Sequence, residues 1–229
     1  MPNSTIAPFG TWKSPLDAAF VSKAAVSMQD VITDGKDLFW VESQPTGTHN
    51  SAVVKRDCKG NITKITTDKI NVRSTIHEYG GGCIAVCDGT LFFINFSDQR
   101  IYRQSGGERP KPITTDRKIR YGDLTVDINR RRLLCVSEDH RPSGKPIARI
   151  SAISMDKVST PFTLIEGNDF YASPRLSPSG DKLAWITWNQ PNMPWDGTEL
   201  WIAEVNPDGE LSNHKLIAGG TQEVIGYPV

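Results

Sequence analysis

Cysteine is scarce, long apolar runs are missing, and neither sign of charge prevails. No stretch of the 229 residues approaches the ~18 consecutive apolar side chains of a membrane-spanning helix. The opening MPNSTIAPFG lacks the basic and apolar regions of a secretory signal, so a cytoplasmic location is expected. With 26 basic and 26 acidic residues the formal net charge is zero, and no Lys/Arg run offers the phosphate-neutralising footprint of a nucleic-acid binder. Neither nucleic acid nor membrane is expected as a partner. The four cysteines, Cys58, Cys83, Cys87 and Cys135, form no CxxC pair and have no histidine at metal-ligand spacing. Cys83 and Cys87 fall on one expected strand with Cα atoms about 13 Å apart, too far for a disulfide, and all four read as reduced thiols. Turn formers are plentiful instead: 19 glycines and 15 prolines beside 38% hydrophobic residues fit an all-β chain with enough apolar surface for a sizeable core.

Internal repetition is the strongest signal. Short apolar strands follow turn residues at DGKDLFWVES (34–43), CDGTLFFINF (87–96), INRRRLLCVSE (128–138) and PSGDKLAWITW (178–188). Their anchors Leu38, Leu91, Leu133 and Leu183 are spaced by 53, 42 and 50 residues, near the ~40–50 of a propeller blade. One strand precedes each anchor (24–32, 81–87, 122–128, 172–178) and two follow it (51–57 and 62–68; 100–105 and 111–116; 148–156 and 162–167; 199–205 and 214–219). Four strands recurring four times predict a β-propeller, whose stacked sheets bury both faces of interior blades and so explain nearly continuous apolar runs such as LFFINF. A β-sandwich would not explain the recurring unit. The expected organisation is an N-terminal segment over 1–23, blades over 24–68, 78–116, 121–167 and 171–220, and the start of a fifth over 221–229. Within the first segment, Ser14-Pro15-Leu16-Asp17 ahead of AAFVSKAA predicts a short helix capped by Ser14 and covering the first blade's flank.

Alternating connections in a four-stranded meander send the loops to two opposite ends. One end collects ordinary turns such as TDGKD, CDGT, NRRR and SPSGD. The other collects SQPTGTHN, NFSDQ, SEDHRPSGK, WNQPNMPWDGT and the crossovers INVRSTIHEYGG, DRKIRYGD and EGNDFYAS. Candidate binding or interface residues therefore share one side: Arg73, His77, Glu78, Tyr79, Arg120, Tyr121, His140, Asp169, Tyr171, Trp195 and Asp196, with Glu138, Asp139 and Phe170 beside them. Aromatics among ionisable groups in long loops supply area and orientation for a ligand. Neighbours on a strand point to opposite faces, so neither His77-Glu78 nor Asp139-His140 makes an acid/base pair by adjacency. Gly80-Gly81-Gly82 has no following helix or Lys and reads as close packing at a blade start rather than a phosphate loop. No GxSxG occurs, and the Ser-Gly pairs at 105, 143 and 179 read as hairpin turns. No nucleophile, metal site or cofactor is expected.

The segments FGTWKSP (9–15), VRSTIHEYGGG (72–82), NFSDQRIYRQ (95–104), RYGD (120–123), SEDH (137–140), GNDFYASPRLSPSGDKLAWITW (167–188) and PNMPWDGTELWIAEV (191–205) resemble the N-terminal propeller of prolyl oligopeptidase-family serine peptidases, in particular the dipeptidyl aminopeptidase/acylaminoacyl-peptidase-like group. The resemblance implies a propeller commonly of seven blades, of which this chain carries four, followed by an α/β-hydrolase domain with a Ser-Asp-His triad. It further implies short peptides as substrates, restricted in access by the propeller. No triad residue has a counterpart here, so the chain alone is expected to be inactive, with the hydrolase domain as its partner in cis or in trans. Uncovered end blades are expected to favour self-association. The alternatives are a stand-alone protein- or peptide-binding propeller and one half of a split enzyme.

Overall fold

A computed structural model describes residues 6–12, 14–21, 26–43 and 50–228. Sixteen strands form four antiparallel sheets, each a simple meander. Sheet one holds β1 (Ser27–Asp34), β2 (Asp37–Ser43), β3 (Ser51–Arg56) and β4 (Ile62–Lys64). Sheet two holds β5 (Ile84–Cys87), β6 (Thr90–Ile94), β7 (Ile101–Ser105) and β8 (Lys111–Pro112). Sheet three holds β9 (Ile119–Asp127), β10 (Arg132–Asp139), β11 (Ile147–Ser154) and β12 (Phe162–Glu166). Sheet four holds β13 (Phe170–Leu176), β14 (Lys182–Trp188), β15 (Glu199–Val205) and β16 (Leu211–Gly219).

The innermost strands meet in the order β1–β5, β5–β9 and β9–β13, and sheet four does not return to sheet one, so the propeller is open. Sheets pack through alternating residues. On β10, Leu133 and Cys135 join the core toward sheet two while Leu134 and Val136 join the core toward sheet four. That double burial is why the run LLCV shows no polar alternation. The end sheets lack this cover: Met28 and Val31 on β1 are 65% and 64% exposed, and Leu216 and Ile217 on β16 are 42% and 50% exposed.

Two outer strands are shorter than the sequence suggests, for one repeated reason. In the ITTD segments at 65–68 and 113–116, Ile65 and Ile113 N–H donate to the carbonyls of Val53 and Ile101. The next residue's hydroxyl then takes over as acceptor: Thr66 Oγ1 receives Val53 N–H at 3.0 Å and Thr114 Oγ1 receives Ile101 N–H at 3.1 Å. A side chain thus replaces the ladder carbonyl and the strand ends.

The N-terminal helix departs from expectation. It is one turn, α1 (Ala18–Val21), and its cap is Asp17, whose Oδ1 accepts Phe20 N–H at 2.6 Å, rather than Ser14. Phe20 and Val21 are 55% and 73% exposed, so the helix covers no blade flank. Residues 22–25, where the Ala-rich run was expected to continue, lie outside the described residues.

The blades are stitched near the axis. Asp30, Asp123 and Ser173 each sit at positive φ (52°, 52° and 51°) where the innermost strand slips register. Asp30 Oδ2 accepts Cys83 N–H of the next sheet at 2.6 Å. Asp123 reaches both ways, accepting Gly82 N–H at 2.7 Å and Ser173 N–H at 2.8 Å. The bulge bends the strand and aims the carboxylate across the blade boundary.

Candidate functional site

The crossover from sheet one to sheet two does not stay between those sheets. Ser74 Oγ donates to Tyr121 O at 2.5 Å, Thr75 N–H donates to Gln99 Oε1 at 2.9 Å, and Ile76, fully buried, inserts into the core shared by sheets three and four. The chain then turns left-handed at His77 (φ 54°), Glu78 (φ 67°) and Gly80 (φ 100°). His77 and Glu78, two consecutive non-glycine residues at positive φ, carry backbone strain that the surrounding packing must hold, whereas Gly80 adopts this conformation freely. The glycines fit the close-packing expectation: a Cβ on Gly81 would lie 2.9 Å from both Asp123 Oδ1 and Ile76 Cγ2.

This turn delivers His77 to the centre of the loop-rich end, where its side chain is 5% exposed. Its amide N–H donates to Glu138 Oε1 at 2.9 Å, and Nε2–H donates to Tyr171 O at 3.0 Å. Nδ1 lies 3.3 Å from Glu138 Oε1 without a well-aligned hydrogen bond. Both ring nitrogens thus face oxygen atoms, one through a hydrogen bond and one by proximity alone. The rings of Tyr79, Phe170 and Trp188 surround it at 5.6, 5.7 and 5.5 Å. Glu138 is itself buried, and its other oxygen meets His140 Nε2 at 3.3 Å. Burial pushes the Glu138 carboxyl upward, but the hydrogen bonds from His77 and His140 outweigh it and hold the group below the usual carboxylate range.

The one-sided distribution of loops follows from the meander order, and most of the sequence candidates meet there. Arg120 Nη1 joins Glu78 Oε1 and the Thr75 carbonyl, so Glu78 turns away from its neighbour His77. Arg73 is exposed and lies over the Phe96 ring at 5.5 Å. Asp169 accepts Gln190 N–H at 2.9 Å, and Asp196 accepts Met193 N–H at 2.9 Å, so both carboxylates shape loops. Tyr79 and Trp195, 59% and 67% exposed, border an apolar cleft of about 440 Å³ shared with Trp188, Ile225 and Tyr227. A second recess of about 380 Å³ lies beneath Arg117, Lys118, Arg120 and His140.

Two candidates face inward instead. Tyr121 and Tyr171 are fully buried in the two cores; Tyr171 accepts Asn168 N–H at 3.0 Å, and burial pushes the Tyr121 phenol well up. They support the site from beneath and offer no surface to a ligand. The Ser43–Asn50 loop, expected at this end, lies mostly outside the described residues. Glu138 is the residue that sequence reasoning undervalued. Its signal was present, since His140 follows directly after β10, two residues beyond Glu138, so an extended backbone there places both on one side. Arg117 and Lys118 were likewise passed over within DRKIRYGD.

Acid should loosen this end of the molecule. Hydrogen bonds from Arg141 hold the Asp139 carboxyl far below its usual range, against opposing burial and with help from Arg149. A depressed carboxylate contributes stability above its unfolded pKa of about 4, and that contribution fades as pH falls toward the folded value. The urea midpoint is therefore expected to fall between pH 5 and pH 3, each about a unit from that unfolded value, and to fall less steeply in Arg141→Gln. Identical pH profiles for the two proteins would remove Asp139 from the account.

The fold and site define a class first: an open β-propeller segment of four blades whose polar, aromatic and strained residues gather at one loop end. No family model matches the chain, and no curated protein matches it. Among solved structures, puromycin hydrolase is 28% identical with a TM-score of 0.81 over 96% of this chain and 36% of that one. The Mycobacterium tuberculosis puromycin-hydrolyzing peptidase is 31% identical with a TM-score of 0.80, again over 96% of this chain and 36% of that one. The β-propeller domain of the trilobed protease from Pyrococcus furiosus, described as an open velcro topology, shares the fold at 14% identity and a TM-score of 0.52, over 84% of this chain and 57% of that one. The chain matches the propeller portion of these puromycin-hydrolysing proteins, consistent with the prolyl oligopeptidase-family resemblance of its loop motifs, and spans about a third of their length. No helix among the described residues is long and apolar enough to cross a membrane, and no cluster of His, Cys, Asp or Glu among them is arranged to hold a metal.

Proposed function

We propose that this propeller gates a serine-peptidase active site, with the loop end that carries His77, Tyr79 and Trp195 turned toward a hydrolase domain and the short peptides it receives. The observation that carries this reading is the strained crossover 74–80, which spans from sheet one to sheets three and four and roofs one end of the propeller with buried polar contacts. Acyl transfer from a peptide needs an activated nucleophile and a base within hydrogen-bonding reach. Among the described residues, His77 and His140 are bonded to a carbonyl and to carboxylate oxygens, not to a hydroxyl or thiol. The 229 residues alone are therefore expected to show no peptidase turnover. Apolar surface on β1 and β16 gives the isolated chain a route to self-association and speaks against a self-sufficient closed ring.

The test is to replace the matching portion of the M. tuberculosis puromycin-hydrolyzing peptidase with this chain and to compare short aminoacyl amides with peptides of about ten residues or more, long enough to be held back by a narrow entrance. Retained short-substrate turnover, with the long substrates admitted only after the Gln190–Asp196 loop is shortened, is the expected outcome. Equal handling of both lengths, before and after shortening, would end the gating assignment.

A further inference from the structure

Charge around the second recess does not balance, although charge over the whole chain does. Each carboxylate at or beside the recess is already engaged. Asp98 pairs with Arg100 and accepts the Tyr102 hydroxyl, both at 2.8 Å. Glu78 is taken by Arg120. Asp116 accepts Lys118 N–H at 2.8 Å and lies 3.6 Å from Arg141. Glu138 stands between His77 and His140. The Arg117 guanidinium and the Lys118 ammonium have no carboxylate partner among the described residues, and both are exposed at the rim. Ser97 Oγ accepts Asn95 Nδ2–H at 2.8 Å, which leaves its own O–H free to donate into the space. Phe96 supplies an apolar wall whose other side is covered by Arg73.

We infer that this recess is a binding site for a small oxyanion, and that its occupant is the carboxylate of a peptide. Surplus guanidinium and ammonium donors above a hydroxyl suit a planar carboxylate, which accepts paired hydrogen bonds from Arg, while the Phe96 wall suits the carbon atoms attached to it. The anion site stands on the charge imbalance. The peptide as its source rests on the gating reading, since that reading brings short peptides to this end.

The experiment uses the full chain labelled with ¹⁵N at low, constant ionic strength, because exposed cations lose their reach as salt rises. Three probes are titrated: N-acetyl-Gly-Gly-Phe with a free carboxylate, the same peptide as its C-terminal amide, and inorganic phosphate. The acid peptide is expected to shift the amides of Ser97, Gln99 and Lys118 saturably, and the amide peptide to bind roughly tenfold more weakly at those positions. Arg117→Gln/Lys118→Gln, a change confined to exposed side chains, is expected to weaken the acid peptide by a similar factor, whereas Lys157→Gln on a loop at the opposite end is not. Equal binding of acid and amide peptides, or an unaffected double variant, overturns the carboxylate assignment. If both peptides bind equally near Tyr79 and Trp195, the gating reading survives that failure. Phosphate binding at Ser97 and Lys118 without either peptide keeps the anion site and rejects peptides as its source. No shift with any probe rejects the site.

Discussion

Glu138→Ala is expected to destabilise the chain by about 3 kcal/mol, measured as a lowered urea midpoint, because removing one partner leaves the other buried group uncompensated. The His77 side chain is 5% exposed and that of Glu138 is 7% exposed, so water cannot readily replace the lost carboxylate. The His77 amide loses its acceptor and Nδ1 loses its facing charge in the same step. Glu138→Gln should cost about 1–2 kcal/mol, since a side-chain carbonyl can still accept the amide N–H while the charge is gone. His77→Asn separates the terms, because Asn tolerates the left-handed backbone that His77 adopts at φ 54°. A double-mutant cycle between Glu138→Ala and His77→Asn should return a coupling of more than about 1 kcal/mol. Simple additivity would show that the two groups are neighbours without being partners.

Local sequence does not encode this pair. Reading His77-Glu78 as an extended dipeptide correctly separated the two side chains but gave no clue to their destinations. Both destinations depend on a left-handed turn, and on contacts 61 and 42 residues away in sequence, to Glu138 and Arg120. Local pattern carries no information about pairings of that range. Tyr121 and Tyr171 failed for a related reason: each lies next to a polar loop in sequence, yet the strand's alternation turns its ring to the core. By contrast, the sheets were legible because three signals agreed at every repeat: turn residues, anchor leucines and blade-length spacing. The common loop end followed from meander order alone. The short helix was legible and lies at Ala18–Val21, but its flank-covering role was not, because the described residues of α1 bury nothing.

Asp123→Ala should be as damaging as loss of Glu138, about 3–4 kcal/mol. Its carboxylate accepts Gly82 N–H at 2.7 Å and Ser173 N–H at 2.8 Å, joining sheets two, three and four through one side chain. Each hydrogen bond to a charged group is worth about 1.5 kcal/mol or more, and a left-handed Ala adds roughly 1 kcal/mol. Asn keeps an acceptor and tolerates φ 52°, so Asp123→Asn should lose only about half as much. Asp30→Ala provides the scale, because Asp30 makes one such bond, to Cys83 N–H, and its loss should fall near 2–3 kcal/mol once the same backbone cost is included. The expected order of urea midpoints is therefore parent, then Asp123→Asn and Asp30→Ala, then Asp123→Ala. An Asp123→Ala loss no greater than that of Asp30→Ala would mean that the Gly82 bond contributes nothing, and that sheets two and three are held by their apolar faces alone. At the equivalent bulge of sheet four stands Ser173, whose shorter side chain borders the apolar cleft with Val224 to Tyr227. The strength of the boundary-crossing carboxylates of sheets one and three is measurable at Asp30 and Asp123 independently of any substrate.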